Sequence, residues 1–155
     1  MNEFTMKKEG FADHDERVLA SLAHGSIVLG IFTSGIGGIF AALIIWLSQR
    51  EKSTYVAYQS LQAMIYQIIV LFVTVIAFTL YGVLLTLMIV PPMMINPELY
   101  QYSPPPSLWL GMSLLIFPCG LWLGTVLYGI WGAIRCMSGS DFQYIGLSRF
   151  MEKGE

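Results

Sequence analysis

The histidine inside the first long apolar run, His24, is the clearest candidate for chemistry in this sequence. An ionisable group at membrane depth is a functional hypothesis by default. His24 can ligate a haem iron or the magnesium of a pigment, relay protons, or stay neutral and hydrogen-bonded between helices. A second haem ligand would have to be another histidine or a methionine, and His14 lies in the charged N-terminal tail. The neutral, hydrogen-bonded state is therefore the favoured interpretation.

Phenol and amide side chains form a polar stripe at the start of the charge-free run that begins at Ser53. Four of its side chains recur at i, i+4, i+7 and i+11, which places them on one face of a helix. The full set is Tyr55, Gln59, Gln62, Tyr66 and Gln67. These groups can line a groove for a quinone, a lipid head group or a peptide. They can also hydrogen-bond neighbouring helices, at about 0.6 kcal/mol per bond, and we favour this second interpretation.

Glycines mark a packing face on the last apolar segment. Gly120 and Gly124 have the GxxxG spacing that lets helix backbones approach closely, and Gly129 and Gly132 extend it. The pattern does not separate packing within the chain from packing against another subunit.

Other chemical signatures are missing from the sequence. It has no CxxC, HExxH or phosphate-binding loop, and the glycines at 35, 37 and 38 lack the lysine of a P-loop. The net charge of −2 gives no reason to expect nucleic acid. We expect no enzyme and no metal, and no cofactor unless His24 holds a pigment or haem.

The composition indicates a membrane protein. Hydrophobic residues make up 55% of the chain and charged residues 12%, whereas a soluble domain usually carries about 25% charge. Residues 18–49, 53–97 and 99–134 contain no Lys, Arg, Asp or Glu. A charge at the bilayer centre costs at least about 2.5–3.5 kcal/mol, so these stretches are predicted to face the lipid bilayer.

The predicted fold is all-α, an integral membrane four-helix bundle with a short N-terminal helical hairpin and two long transmembrane helices. The helices are expected at about 16–34, 37–49, 53–90 and 107–137, within a membrane domain of residues 16–138. A polar tail, 1–15, precedes them. The glycines at 35–38 suggest the turn of the hairpin. One long tilted helix over 18–48 is the alternative.

Prolines and polar residues set the other boundaries. Pro91 and Pro92 are expected to stop the third helix, leaving a Pro-rich loop at 91–106. Ser107 is expected to cap the fourth helix, and Pro118 to kink it. The tail 139–155 carries the spaced aromatics Phe142, Tyr144 and Phe150, which suggests a segment lying along the membrane surface.

The distribution of Lys and Arg predicts the orientation. These residues occur in the N-terminal tail, in the turn at 50–52 and from Arg135 onward, whereas the Pro-rich loop has none. The positive-inside rule then places the loop outside and both termini in the cytoplasm. The predicted location is the cell inner (plasma) membrane, crossed several times.

Three stretches together resemble a known family. They are residues 16–24 (ERVLASLAH), the motifs within 44–67, and residues 139–150 (GSDFQYIGLSRF). They resemble small bacterial four-helix membrane proteins of unknown function, similar to a four-helix component of the chloroplast inner-envelope import translocon. Gln59, Ile65 and Ile145 depart from that family's usual histidine, asparagine and proline. The resemblance implies four helices with cytoplasmic ends, and a His24 that belongs to the fold.

These features lead to one expected function and two alternatives. The expected function is that of a non-catalytic accessory or structural subunit, which packs against other subunits of a larger membrane complex. The type of protein suggests a respiratory or photosynthetic complex. The first alternative, from the resemblance and the polar stripe, is a transport or translocation component. The second is a pigment- or haem-binding subunit that uses His24.

Overall fold

The computed structural model describes residues 12–145, and helices are the regular elements of this part of the chain. In chain order they are α1 (His14–Gly25), α2 (Ile27–Phe32), α3 (Ile36–Gln49), α4 (Thr54–Ile95), α5 (Pro106–Leu114) and α6 (Ile116–Met137). Single residues join α1 to α2 and α5 to α6, so the six helices form four helical segments. The predicted all-α fold with four helices is confirmed.

A capping box begins α1. Asp13 accepts a hydrogen bond from the backbone N–H of the residue at N3, and the carboxylate of Glu16 accepts one from the backbone N–H of Asp13 at 3.1 Å. The other oxygen of Glu16 accepts a hydrogen bond from the Ser53 hydroxyl at 2.6 Å. Glu16 therefore ties the start of α1 to the turn that precedes α4, and α1 begins at His14, two residues before the expected position.

The first apolar run folds back on itself. Ser34 and Gly35 have positive φ angles of 54° and 90°, and the N–H of Gly35 donates to the carbonyl of Gly30 at 2.7 Å. A left-handed residue after a helix end is commonly glycine because a Cβ is disfavoured there. The chain then returns as α3, which packs against α1 and α2. The predicted hairpin is confirmed, and the single tilted helix over 18–48 is wrong.

Helix α4 does not stop at its two prolines. The expected end at Val90 is wrong, because α4 continues through Pro91 and Pro92 to Ile95. A proline at position 92 has no N–H for the carbonyl of Met88, four residues earlier. The hydroxyl of Ser107 donates to that carbonyl at 2.5 Å, so the oxygen that the proline leaves unpaired still has a partner.

The start of the fourth segment also differs from the expectation. Helix α5 begins at Pro106, where proline is well tolerated, and no side-chain hydrogen bond caps it. Ser107 therefore does not act as the expected cap, since its hydroxyl is engaged by Met88. The segment is interrupted at Leu115, three residues before Pro118, the proline that was expected to kink it.

The chain divides into two compact units. Unit 1 comprises residues 12–69 and 126–145 of the described chain, and unit 2 is Val70–Thr125. Unit 1 contains the hairpin, the polar stripe of α4 and the end of α6. Within unit 2, the hydroxyl of Tyr81 donates to the carbonyl of Gly111 at 3.2 Å, which links the two helical segments of that unit.

Two helical segments, α4 and the 32 residues of α5 with α6, are long and apolar enough to cross a membrane. In the most apolar 18-residue window of α4, no residue is buried inside the protein. A core helix of a soluble protein would have most of that surface covered. The apolar side chains of α4, such as Phe72, Leu80 and Leu87, are instead exposed and require lipid.

The close approach of the hairpin gives a test of packing. A Cβ on Gly38 would lie 2.6 Å from the carbonyl oxygen of Ser26 and would also collide with the amide of Gln67. Gly38→Ala should therefore lower the stability of the detergent-solubilised protein by about 1–3 kcal/mol, measured by thermal unfolding. Gly82→Ala is the matched control, since its Cβ would meet no atom within 4 Å. Equal stability of the two variants would contradict this packing.

Candidate functional site

The buried centre of unit 1 is a hydrogen-bonded histidine. His24, fully buried on α1, has its Nδ1 2.9 Å from the Tyr144 hydroxyl and its Nε2 3.0 Å from Oε1 of Gln59. The amide oxygen of Gln59 can only accept, so Nε2 carries the proton. Nδ1 then accepts from the Tyr144 hydroxyl. Both ring nitrogens are occupied, and neither is available as a metal ligand in this arrangement.

The amide of Gln59 extends this chain of hydrogen bonds. Its Nε2 lies 3.5 Å from a carboxylate oxygen of Asp141, and its Oε1 lies 3.5 Å from the thiol sulfur of Cys136. A donor facing a carboxylate and an acceptor facing a thiol agree with the amide orientation that His24 requires. The bonds run in one direction, from the hydroxyl of Tyr144 through His24 and Gln59 to Asp141.

The three glutamines of the stripe point into unit 1. Gln59 and Gln62 are fully buried and Gln67 nearly so. Gln67 donates to the hydroxyl of Ser26 at 3.0 Å and to the carbonyl of Ala23 at 3.3 Å, while Oε1 of Gln62 accepts from the backbone N–H of Tyr144 at 3.3 Å. These amides bind to neighbouring segments of the chain.

The two tyrosines of the predicted stripe are partly buried. Both Tyr55 and Tyr66 pack against a cluster that contains Cys136, Phe142 and Tyr144. The stripe therefore contributes to packing between helices. Its three glutamines are all buried.

The segment after α6 completes the site. Residues 139–145, which we call the strap, follow the end of α6 without helical structure. Phe142 and Tyr144 are buried, with 6% and 3% of their surfaces exposed, whereas Asp141 and Gln143 between them are exposed. The two described aromatics of the tail are therefore packed into unit 1, whereas the sequence suggested that they lie along the membrane surface. Phe150 lies outside the described residues.

Aromatic stacking and hydrogen bonding fix Tyr144. Its ring is stacked on that of Tyr66, with centroids 3.9 Å apart and planes 7° from parallel, and Tyr128 and Phe142 meet it edge-on. Burial raises the pKa of the Tyr144 hydroxyl above its ordinary value, so the hydroxyl stays protonated and donates to His24. The alternation of aromatic and polar residues over 141–144, typical of an extended segment with one buried face, is the signal that could have revealed it.

The four predicted packing glycines divide into two pairs. A Cβ on Gly129 would collide with Ile27, and one on Gly132 would meet Phe142 and come within 3.2 Å of Nδ1 of His24. A Cβ on Gly120 or Gly124 would meet nothing within 4 Å. Among the described residues, only Gly129 and Gly132 therefore lie against other segments. A role of Gly120 and Gly124 in packing against another subunit stays a prediction.

Two buried amide atoms of the stripe's glutamines have no hydrogen-bond partner. They are Nε2 of Gln62 and Oε1 of Gln67. Within residues 12–145, no group of three or more His, Cys, Asp or Glu side chains is placed to hold a metal ion. The site is thus a nearly saturated hydrogen-bonded core, which we call the polar core and define as His24, Gln59, Gln62 and Tyr144.

The fold and this core define a helical membrane protein that buries its polar side chains within its own helices. A family model described as the magnetosome magnetite crystal formation protein family, MamF/MmsF, matches residues 15–151. The match covers most of the chain, and the protein belongs to this family. No curated protein and no solved structure matches it.

The family match corrects two expectations from the sequence. The resemblance to bacterial relatives of the chloroplast import component is wrong, because the family model assigns nearly the same residues to the magnetosome family. The expected functions are wrong for the same reason: an accessory subunit of a respiratory or photosynthetic complex, a translocation component, and a pigment- or haem-binding subunit. The family description names crystal formation and no chemical reaction.

The polar core predicts that the loss of one amide side chain, that of Gln59, lowers the stability of the protein. Gln59→Leu removes the acceptor of His24 and leaves a buried N–H unpaired, which should cost about 1–3 kcal/mol of stability. Gln143→Leu, the same change at an exposed position, is the control and should have little effect. Thermal unfolding in mild detergent compares the two. If both variants unfold at the wild-type temperature, the polar core does not stabilise unit 1.

Proposed function

We propose that this protein acts in magnetite crystal formation as a component of the magnetosome membrane. The observation that supports this function is the family match over residues 15–151, which includes the polar core and both long apolar segments. This location replaces the general inner-membrane assignment that the sequence suggested. We infer a non-enzymatic role, in which the protein acts through its folded shape and its exposed surfaces at the membrane.

We further propose that both termini lie in the cytoplasm and that residues 96–105 face the enclosed crystal. Lys and Arg are missing from this segment, which favours the non-cytoplasmic side. The segment is mostly exposed, and it carries the carboxylate of Glu98 and the phenol of Tyr102, which has 91% of its surface exposed. These oxygen-bearing groups would then be the nearest parts of the chain to the mineral.

A deletion strain tests the function. In a magnetite-forming host, loss of the gene should shift the size or shape of the crystals, measured by electron microscopy, and the wild-type gene should restore them. The gene carrying Gln59→Leu should fail to restore them, because the polar core is disrupted, while the gene carrying Gln143→Leu should succeed. Crystals of normal size and shape in the deletion strain would contradict the proposed function.

Thiol labelling of isolated, sealed magnetosomes tests the orientation separately. A cysteine at Glu51, in the charged turn before α4, should react with a membrane-impermeant maleimide added from outside. A cysteine at Tyr102 should react only after the membrane is permeabilised. Both changes are made in a chain with Cys119→Ser and Cys136→Ser, so that no native thiol contributes. The reverse pattern would contradict the orientation and leave the role in crystal formation untouched.

A further inference from the structure

The strap is attached to α6 by a turn that favours glycine. Gly139 has a φ of 76°, a conformation that side-chain-bearing residues rarely adopt. The guanidinium of Arg17 lies so close that a Cβ on Gly139 would be 3.0 Å from its carbon. The backbone N–H groups of Gly139 and Ser140 donate to carbonyls of the last turns of α6, at 3.0 and 3.1 Å. The strap is thus anchored at its beginning by the end of the helix.

Beyond Ser140, side chains carry most of the attachment. The backbone N–H groups of Tyr144 and Ile145 donate to the side chains of Gln62 and Tyr128, each at 3.3 Å, which is long for an N–H···O bond. The strap forms no helix and no strand, so no regular backbone ladder holds it. Phe142 and Tyr144 are the two buried anchors. Both belong to the core cluster with Ala20 and Cys136, whereas residues 141, 143 and 145 of the strap are exposed.

The strap packs over polar groups that have no contact with solvent. His24, Gln59, Gln62 and Cys136 have no exposed surface, and Phe142 and Tyr144 of the strap pack directly against Cys136 in one cluster. With the strap in this position, Nε2 of Gln62 is buried without a partner. An unsatisfied buried donor opposes the closed state, because water would satisfy it if the strap moved away.

We propose that the strap is a reversible lid, which opens away from the polar core while the helices of unit 1 remain folded. Opening withdraws Tyr144 from His24, admits water to Gln62 and uncovers the thiol of Cys136. The lid makes the polar core accessible to aqueous molecules next to the C-terminal end of α6. This inference does not depend on the role in crystal formation, since it concerns the motion of one segment.

The buried thiol provides a direct test. In a Cys119→Ser parent, Cys136 is the remaining thiol, and its rate of reaction with a water-soluble maleimide reports how often the strap is open. Tyr144→Phe removes one hydrogen bond and should raise the rate roughly 2- to 13-fold. Tyr144→Ala removes the stacked ring as well and should raise it at least roughly tenfold. At the labelling temperature, the helicity measured by circular dichroism should stay close to the parent value.

A matched control lies in the strap itself. Ile145 has 92% of its surface exposed, so Ile145→Ala should label at the parent rate. The lid is supported if the rates increase in the order parent, Tyr144→Phe, Tyr144→Ala while helicity is kept. It is overturned if Cys136 reacts only when the helices unfold, or if neither Tyr144 variant accelerates labelling. A Tyr144→Ala chain that loses its helices would also overturn it, because the strap would then be part of the fold.

Discussion

Polar groups that enter a membrane protein must find partners inside it, and this constraint determines how unit 1 is built. The first turns of α4 carry three glutamines on one face, and hydrocarbon would leave their amides unsatisfied. The hairpin supplies His24 and Ser26 as partners, the end of α6 supplies the thiol of Cys136, and the strap supplies the backbone N–H of Tyr144. Without these segments around it, the stripe could not be buried. The remainder of α4 is mostly apolar, and its polar groups are hydroxyls, of which that of Tyr81 donates to Gly111 and that of Thr86 to Gly82.

Local patterns in the sequence were sufficient for much of this architecture. The charge-free stretches, the helical spacing of the stripe and the glycines after Ser34 predict the four helices and the hairpin, because each signal depends on residues close together in the chain. The placement of the strap could not be obtained in this way. Tyr144 and His24 are 120 positions apart, and no periodicity connects them. The continuation of α4 past Pro92 likewise depends on Ser107, a partner beyond the loop.

The mistaken family resemblance has a physical basis. Two of its motifs, residues 16–24 and 139–150, include His24 and Tyr144, and the motifs within 44–67 include Gln59 and Gln62. These residues form the polar core. The motifs therefore describe how such a bundle is held together, and similar packing solutions can recur in proteins with different tasks. The family model, which matches residues 15–151 as a whole, carries the information about function that the motifs lack.

The length of α4 bears on the kind of bilayer that suits this protein. Residues 70–95 extend over roughly 40 Å at 1.5 Å per residue, whereas hydrocarbon is on average about 30 Å thick. A helix that exceeds the local thickness must tilt or thicken the surrounding lipid, at a cost of a fraction of a kcal/mol per ångström. Such mismatch is enough to enrich a protein in one membrane over another. Bilayer thickness alone would then bias where in the cell this chain accumulates.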